Sequence, residues 1–181
     1  MKKLPFYILL TVLLAACGDD DKTWEDYADW REANEAWLAE QATVTNPDGT
    51  PYYTKITPVW DPAAYVLIHY FNDRRLTEGR LSPLLTSTVD VKYMGRLYND
   101  EPFDSSYLRT EPADSIYRTA CNKVIQGWTI ALEDMRVGDT CEVLIPYQQG
   151  YGSSNSGAIK PYSALKFGIK LVDIPYYEAK P

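Results

Sequence analysis

Two stretches in the second half of the chain alternate strictly between apolar and polar residues, and this pattern constrains the fold most. In residues 87–98, STVDVKYMGRLY, every second residue from Val89 to Tyr93 is apolar. Residues 165–174, LKFGIKLVDI, alternate in the same way, and a shorter run covers residues 141–145. A period of two is typical of antiparallel strands that bury one face, so three such strands are predicted.

Between these strands lies one short segment with the period of a helix. Its apolar residues recur at intervals of three and four positions: Trp128, Ala131, Leu132 and Met135. Gly138 follows, where helices often stop. A helix of about three turns is marginal alone in water, so packing must hold it. The pattern predicts an α+β domain, a curved antiparallel sheet with one short helix packed across it. From the pattern alone, Trp128 faces either ordinary core or the floor of a pocket.

The first half of the chain contains a longer helix and two short strands. Residues 23–42 form a predicted helix with acidic residues in its first turn. One face of that helix is expected to be buried: Tyr27, Trp30, Asn34, Trp37 and Leu38. YYTKI and YVLIHYF, residues 52–56 and 65–71, have β-like composition, and we expect at least one of them to join the sheet. We therefore assign an N-terminal helix at 23–48 and flanking strands with a loop at 49–83. We expect the helix to pack on its own domain in a monomer.

The N-terminus has the form of a lipoprotein leader. A basic MKK precedes a 12-residue apolar stretch, which is too short to span a bilayer comfortably. The sequence LAAC, Leu14 to Cys17, resembles the bacterial lipobox, so residues 1–16 are predicted to be removed and Cys17 to be lipidated. Residues 17–22 form an acidic tether similar to the surface-export signal of lipoproteins in Bacteroidota. These features predict a lipid-anchored protein of the outer membrane, on the cell surface or the periplasmic face.

Charge and composition exclude several classes of function. Loss of Lys2 and Lys3 leaves 16 basic and 25 acidic side chains, a net charge of −9, which argues against nucleic acid and anionic membrane surfaces. Membrane contact is then expected only through the Cys17 anchor. The single histidine, His69, lies in an apolar run and is expected to be structural. No metal-ligand pattern, cofactor motif, phosphate loop, HExxH or GxSxG occurs.

Two further cysteines remain free or form a disulfide, and the sequence leaves both open. Cys141 alternates with apolar residues and is expected in the core, whereas Cys121 lies in a polar loop, TACNK. The exported compartment is oxidising, so a bridge between them is chemically possible.

Four segments resemble one enzyme family. VDVKYMGRLYNDEPFDSS, KVIQGWTIALEDMRVGD, VLIPYQQGYG and GAIKPYSALKFGIKLVDI occur in this order over about residues 84–174. They resemble the FKBP-type peptidyl-prolyl isomerases, which show V-x-Y-x-G, F-D-S-S, V-I-x-G-W, I-P-x-x-x-x-Y-G and F-x-V-x-L. The resemblance implies an FKBP-like domain at 84–175, in which the sheet wraps around the short helix.

The resemblance implies a proline pocket with Trp128 as its floor. Its expected walls are Tyr93, Phe103, Val124, Ile125 and Phe167. Tyr151 should offer its hydroxyl to a bound carbonyl and the Ile125 N–H should donate to the ligand. Asp104 should lie at the edge with Arg109 near it, and Ile159 should belong to an overhanging loop. Taken singly, Val124, Phe103 and Phe167 are better explained as plain core, and only the joint pattern of motifs favours the pocket.

The implied activity is cis–trans isomerisation of X–Pro bonds in proline-containing polypeptides, without a cofactor or metal, to assist folding of envelope or exported proteins. A non-catalytic peptide- or partner-binding lipoprotein with the same pocket is the alternative, and a glycan-binding surface lipoprotein is a third reading. Lys160 replaces the first of two prolines in the overhanging loop, and Ser156 lies near where some members have histidine. These differences bear on substrate preference and on affinity for macrolides such as rapamycin. The segment from Tyr107 to Asn122 is longer than usual.

Overall fold

The computed structural model describes residues 19–176, which contain one antiparallel sheet and three α-helices. The strands are β1 (Thr54–Ile56), β2 (Val66–Tyr70), β3 (Thr88–Leu97), β4 (Pro102–Ser105), β5 (Tyr117–Ala120), β6 (Thr140–Ile145) and β7 (Leu165–Asp173). The helices are α1 (Asp19–Asp26), α2 (Ala28–Gln41) and α3 (Gln126–Asp134). Strand order is β1-β2-β6-β7-β3-β4, and β5 also pairs with β3. This confirms the predicted α+β class with an N-terminal helical extension.

The alternating strands bury the face that their pattern predicts. The alternating inward positions of β3, β6 and β7 contribute to one hydrophobic cluster: Val89, Val91, Tyr93, Leu97, Cys141, Val143, Ile145, Leu165, Phe167, Ile169 and Leu171. One polar residue is an exception, since Asp90 on the other face of β3 is also buried. Arg118 of β5 donates to its carboxylate at 2.7 Å, so burial of this charge is compensated by an ion pair.

Helix α3 is buried on nearly every side because the sheet surrounds it. Residues 127–132 are all buried, so the helix lacks the exposed face of an ordinary amphipathic helix. A β-carbon at Gly127 would lie 2.3 Å from Ile145 Cγ2, so only glycine permits this approach of helix and strand. The helix ends at Asp134, earlier than Gly138 suggested. Gly138 has a φ of 97° and forms the turn into β6.

The N-terminal extension differs from the prediction of one helix over 23–42. It is broken at Tyr27, where φ is −111° and ψ is 19°, between α1 and α2. The Arg31 guanidinium stacks over the Trp24 ring at 3.4 Å and donates to the Trp24 carbonyl, which stabilises the bend. Of the predicted inner face, Asn34 and Leu38 are buried, whereas Tyr27, Trp30 and Trp37 are only partly buried. The extension packs on its own domain, as expected.

Both flanking strands join the sheet. Strand β2 pairs with β6, with Leu67 opposite Leu144, and β1 pairs with β2. The boundary assigned at residue 84 therefore runs through a single sheet, and residues 54–70 supply the edge next to β6. On that edge, the ring Nδ1–H of His69 donates to the Tyr52 carbonyl at 2.8 Å, and the His69 ring stacks on the Tyr52 ring.

The two cysteines in the described residues are both free and buried. Cys121 is fully buried, although it lies in a polar stretch and begins a short 3-10 turn, Cys121–Lys123. Residues 1–18 lie outside the described part, and so do the predicted leader and Cys17. Within residues 19–176 no helix is long and apolar enough to cross a membrane.

Candidate active site

One cavity of about 370 Å³ opens between β3, β4 and the N-terminal end of α3. Its lining is mostly aromatic: Tyr93, Phe103, Asp104, Tyr117, Lys123, Val124, Ile125, Trp128, Tyr151 and Phe167. Eight of these were expected from the sequence. The cavity is large enough for a proline ring with its flanking peptide groups.

Trp128 is 4% exposed, and its ring contacts aromatic side chains of three strands, β3, β5 and β7. Its centroid lies 5.0 Å from that of Tyr93 and 5.2 Å from that of Phe167, with interplanar angles of 84° and 90°. Edge-to-face contacts of this kind stabilise aromatic clusters beyond their buried area. Phe103 contacts Phe167 in the same way at 5.4 Å. The rings therefore form a rigid apolar surface, with Trp128 at its base.

A polar corner adjoins this apolar surface. The Tyr93 hydroxyl donates to Asp104 Oδ2 at 2.6 Å, and Asp104 Oδ1 accepts the Ser105 N–H at 2.8 Å. Burial raises the pKa of Tyr93 well above its ordinary value, and the bond to Asp104 raises it further, against the opposing effect of Arg109. The phenol therefore stays protonated at neutral pH and holds the carboxylate in place.

The rim of the cavity is more exposed. Tyr151 is 37% exposed, and Val124 and Ile125 are partly buried where α3 begins. The Ile125 carbonyl accepts the first two helical bonds, from the N–H groups of Trp128 and Thr129. The donor role of the Ile125 N–H remains a prediction.

Two expected residues do not line the cavity. Arg109 lies beside it, with its guanidinium 4.8 Å from the centre of the Tyr117 ring. Ile159 is buried in the hydrophobic cluster that contains Trp128 and does not form part of the wall. The residues between 107 and 122 had no aligned counterpart, so Tyr117 was missed. Lys123 was also missed, although it directly precedes the recognised VIQGW.

The cavity provides shape, a low-polarity surface and a few hydrogen-bonding groups. In the described residues, no group of three or more His, Cys, Asp or Glu side chains is placed to hold a metal ion. The arrangement can hold a small apolar ring while hydroxyl groups contact the amide oxygens beside it.

The fold and this cavity agree with a family comparison. The model of the FKBP-type peptidyl-prolyl cis-trans isomerase family matches residues 80–172, just over half of the chain. The chain therefore belongs to the FKBP-type peptidyl-prolyl cis-trans isomerase family.

Individual relatives are similar over about half of the chain. The chain is 41% identical over 97 residues to the macrophage infectivity potentiator of Trypanosoma cruzi, covering 53% of this chain and 47% of the relative. It is 42% identical over 93 residues to the FKBP-type 22 kDa peptidyl-prolyl cis-trans isomerase of Escherichia coli, covering 51% and 43%. The chain thus spans less than half the length of these curated relatives.

The fold is also similar to solved structures. The crystal structure of FkpA from Escherichia coli aligns with a TM-score of 0.66 at 24% identity, covering 84% of this chain and 62% of that one. A peptidyl-prolyl cis-trans isomerase from Pseudomonas syringae aligns with a TM-score of 0.62 at 24% identity, covering 81% and 94%. The structural similarity extends beyond the region of the family match, into the N-terminal half.

Proposed function

We propose that this protein is a peptidyl-prolyl cis-trans isomerase that binds X–Pro segments in the aromatic cavity. The observation that carries the proposal is the cavity itself, in which Trp128, Tyr93 and Phe167 meet edge to face beside a tyrosine–aspartate hydrogen bond. Membership of the family supports the proposal.

The chemistry of the reaction fits these residues. Rotation about the C–N bond is opposed by its partial double-bond character, with a barrier of about 18–20 kcal/mol for a peptide bond. No covalent bond forms or breaks, so no nucleophile or general base is needed. Water stabilises the planar, polar amide better than the twisted one, and an apolar cavity removes that difference. The cavity can select a twisted proline by shape, and fixed hydrogen bonds can hold the neighbouring carbonyls.

The catalytic roles are proposed by position. Tyr93, Phe103, Trp128 and Phe167 enclose the proline ring, while Asp104 and the Tyr151 hydroxyl contact the peptide. Val124 and Ile125 contact the residues beside the proline. Arg109 acts from outside the lining, beside Tyr117, and Ile159 supports Trp128 from the core.

The test is the rate of cis–trans exchange in a short Leu-Pro peptide, measured by NMR with and without the purified protein. Asp104→Ala and Tyr151→Phe should each reduce the acceleration by about tenfold, the effect of one lost hydrogen bond of about 1.4 kcal/mol. Tyr107→Phe is a matched control, because Tyr107 is 53% exposed and does not line the cavity. No acceleration by the folded wild-type protein would refute catalysis.

A non-catalytic binding module is the second candidate. Lys160, at the position where the family has a proline, favours it because that loop borders the pocket in the family resemblance. A folded protein that binds the Leu-Pro peptide at the cavity without accelerating exchange would establish this candidate instead.

We also propose that the protein is an outer-membrane lipoprotein anchored through Cys17, that it acts on envelope or exported proteins, and that it is a monomer. The leader sequence and the acidic tether support the location. Mass spectrometry of membrane-extracted protein should show acyl chains on Cys17, and Cys17→Ser should release it from the membrane. Light scattering that gives twice the chain mass would contradict the monomer.

A further inference from the structure

The loop between Tyr151 and β7 is held by the N-terminal extension. This loop, residues 152–164, starts beside the exposed tyrosine of the cavity rim and ends directly before β7. Helix α2, more than a hundred residues earlier in the chain, contacts its second half at several points. We call residues 160–164 the anchored segment.

The first contact is made by Trp30 of α2. Its indole N–H donates to Ser163 Oγ at 3.0 Å, and Ser163 Oγ donates to the Lys160 carbonyl at 2.8 Å. The Lys160 ammonium lies 4.5 Å from the centre of the Trp30 ring, within the range of a cation–π contact. Lys160, which replaces a proline of the family pattern, therefore contacts the N-terminal extension through its ammonium group, and this contact is a structural reason for the replacement.

The second contact is made by Asn34, one turn further along α2. Asn34 is buried, and its side-chain oxygen accepts the Ala164 N–H at 2.8 Å. Its side-chain N–H₂ donates to the Trp30 carbonyl at 2.7 Å, which fixes the orientation of the amide. A buried backbone N–H directly before β7 is thus satisfied by the helix.

The anchored segment is in turn bonded to the residue that follows Tyr151. The Tyr162 N–H donates to the Gly152 carbonyl at 2.8 Å. Tyr162 has a φ of 60°, an unfavourable conformation for a residue with a β-carbon, so its surroundings must hold it. Its ring makes edge contacts with Trp24 of α1 and with Tyr147, each at 5.3 Å.

We infer that Trp30 and Asn34 are positioning residues for the cavity, which act through the anchored segment on Tyr151. The inference rests on the proposed function, because it assigns to the N-terminal extension a role in placing a substrate-contacting hydroxyl. Helix α2 hydrogen-bonds to residues 163 and 164, and the neighbouring Tyr162 N–H donates to the Gly152 carbonyl. Gly152 directly follows Tyr151 of the cavity rim. Separation of α2 from the domain would leave the Tyr162 conformation and the rim without this support.

The experiment compares Trp30→Phe with Trp37→Phe in the full chain. Both tryptophans lie on α2 and both rings contact Tyr98, with centroid distances of 5.1 Å and 6.3 Å. Only Trp30 donates a hydrogen bond to the anchored segment among the contacts of the described residues. Trp37→Phe therefore controls for the loss of an indole ring from the same helix.

Two readouts are expected to separate the variants. Hydrogen exchange at the Tyr162 and Ala164 amides should become faster in Trp30→Phe and stay unchanged in Trp37→Phe. The kcat/KM for the Leu-Pro peptide should fall about three- to tenfold in Trp30→Phe, a typical coupling between linked positions. Asn34→Ala, which removes the acceptor for the Ala164 N–H, should act in the same direction.

A double-mutant cycle tests whether the effect passes through Tyr151. In a Tyr151→Phe background, Trp30→Phe should cause little further loss of kcat/KM, because the hydroxyl that it positions is already absent. Equal hydrogen-exchange rates and equal kcat/KM in the Trp30→Phe and Trp37→Phe variants would overturn the inference. A full additional loss of kcat/KM on adding Trp30→Phe to Tyr151→Phe would overturn it as well. If the wild-type chain does not accelerate cis–trans exchange of the Leu-Pro peptide, the proposed function fails. Hydrogen exchange at the Tyr162 amide still decides whether Trp30 holds the anchored segment.

Discussion

Replacement of Gly95 by alanine adds one methyl group where two rings of the cavity wall meet the backbone of β3. A β-carbon there would lie 2.7 Å from the ring of Phe103 and 2.7 Å from the ring of Phe167. Carbon atoms in contact normally stay about 3.5–4.0 Å apart, so a ring must move. Phe167 is buried against Trp128, whereas Phe103 is only partly buried. We therefore expect Phe103 to move and the cavity wall to change shape.

The expected size follows from two opposing effects. Insertion of a methyl group into a packed site costs about 1–3 kcal/mol. Replacement of glycine by alanine also lowers the conformational entropy of the unfolded chain, which stabilises the folded protein by about 0.4–1 kcal/mol. Gly95→Ala should therefore lower the free energy of unfolding by up to about 2.6 kcal/mol, with a midpoint of about 1.3 kcal/mol. Urea unfolding measures this change, and titration with a Leu-Pro peptide should show weaker binding because the wall has moved.

Gly168→Ala is the matched control. Gly168 lies on β7 beside β3, and a β-carbon there would meet no atom within 4 Å. Its replacement should be neutral or stabilising by about 0.5 kcal/mol and should leave peptide binding unchanged. If Gly95→Ala proves as stable as Gly168→Ala and binds the peptide as the wild type does, the reasoning about the two rings is refuted.

Three further predictions concern titratable groups. Asp139 is fully buried, and although burial alone would raise its pKa, its hydrogen bonds outweigh this and lower it. The Asp139 carboxylate should stabilise the fold fully above its ordinary pKa of about 4, and this stabilisation should be lost as pH falls through its lower pKa in the folded protein. Asp139→Asn should therefore lower the free energy of unfolding by about 1–3 kcal/mol at neutral pH and by less in acid, as measured by urea unfolding. Asp104→Asn removes a negative charge beside the Tyr93 hydroxyl, so the pKa of that phenol should fall in an ultraviolet titration. The pKa should stay above its ordinary value because the phenol remains buried, and an unchanged pKa would contradict the hydrogen bond between Tyr93 and Asp104. Burial raises the pKa of Cys121 to about 11 and that of Cys141 further, so Ellman's reagent should modify these two thiols only after unfolding, and rapid modification of the folded protein would contradict their burial.

The sequence was most informative where a local pattern and a packing requirement coincide. Strands β3 and β7 are long enough for their alternation to be unambiguous, and their apolar faces are buried as predicted. Eight of ten expected site residues lie around one cavity because they belong to motifs whose order and spacing are specific. The catalytic roles of these residues remain predictions.

Features that depend on distant contacts were not predictable. Strand β5 has only four residues and no alternation, so neither the strand nor Tyr117 was recognised. Cys121 lies in a polar stretch, and only the folded chain buries it. The break at Tyr27 depends on a bond from Arg31 to the Trp24 carbonyl, and helical periodicity does not report such a bond.

The position of β7 in the sheet also determines when the fold can form during synthesis. Within residues 19–176 this strand is the last in sequence, but it lies in the middle of the sheet, between β6 and β3. Until residues 165–173 have left the ribosome, the β1-β2-β6 half and the β3-β4-β5 half have no strand to join them, and β6 and β3 each present an open edge. A nascent chain shorter than this cannot close its core around α3, so cooperative folding is delayed until nearly all of the domain has been made.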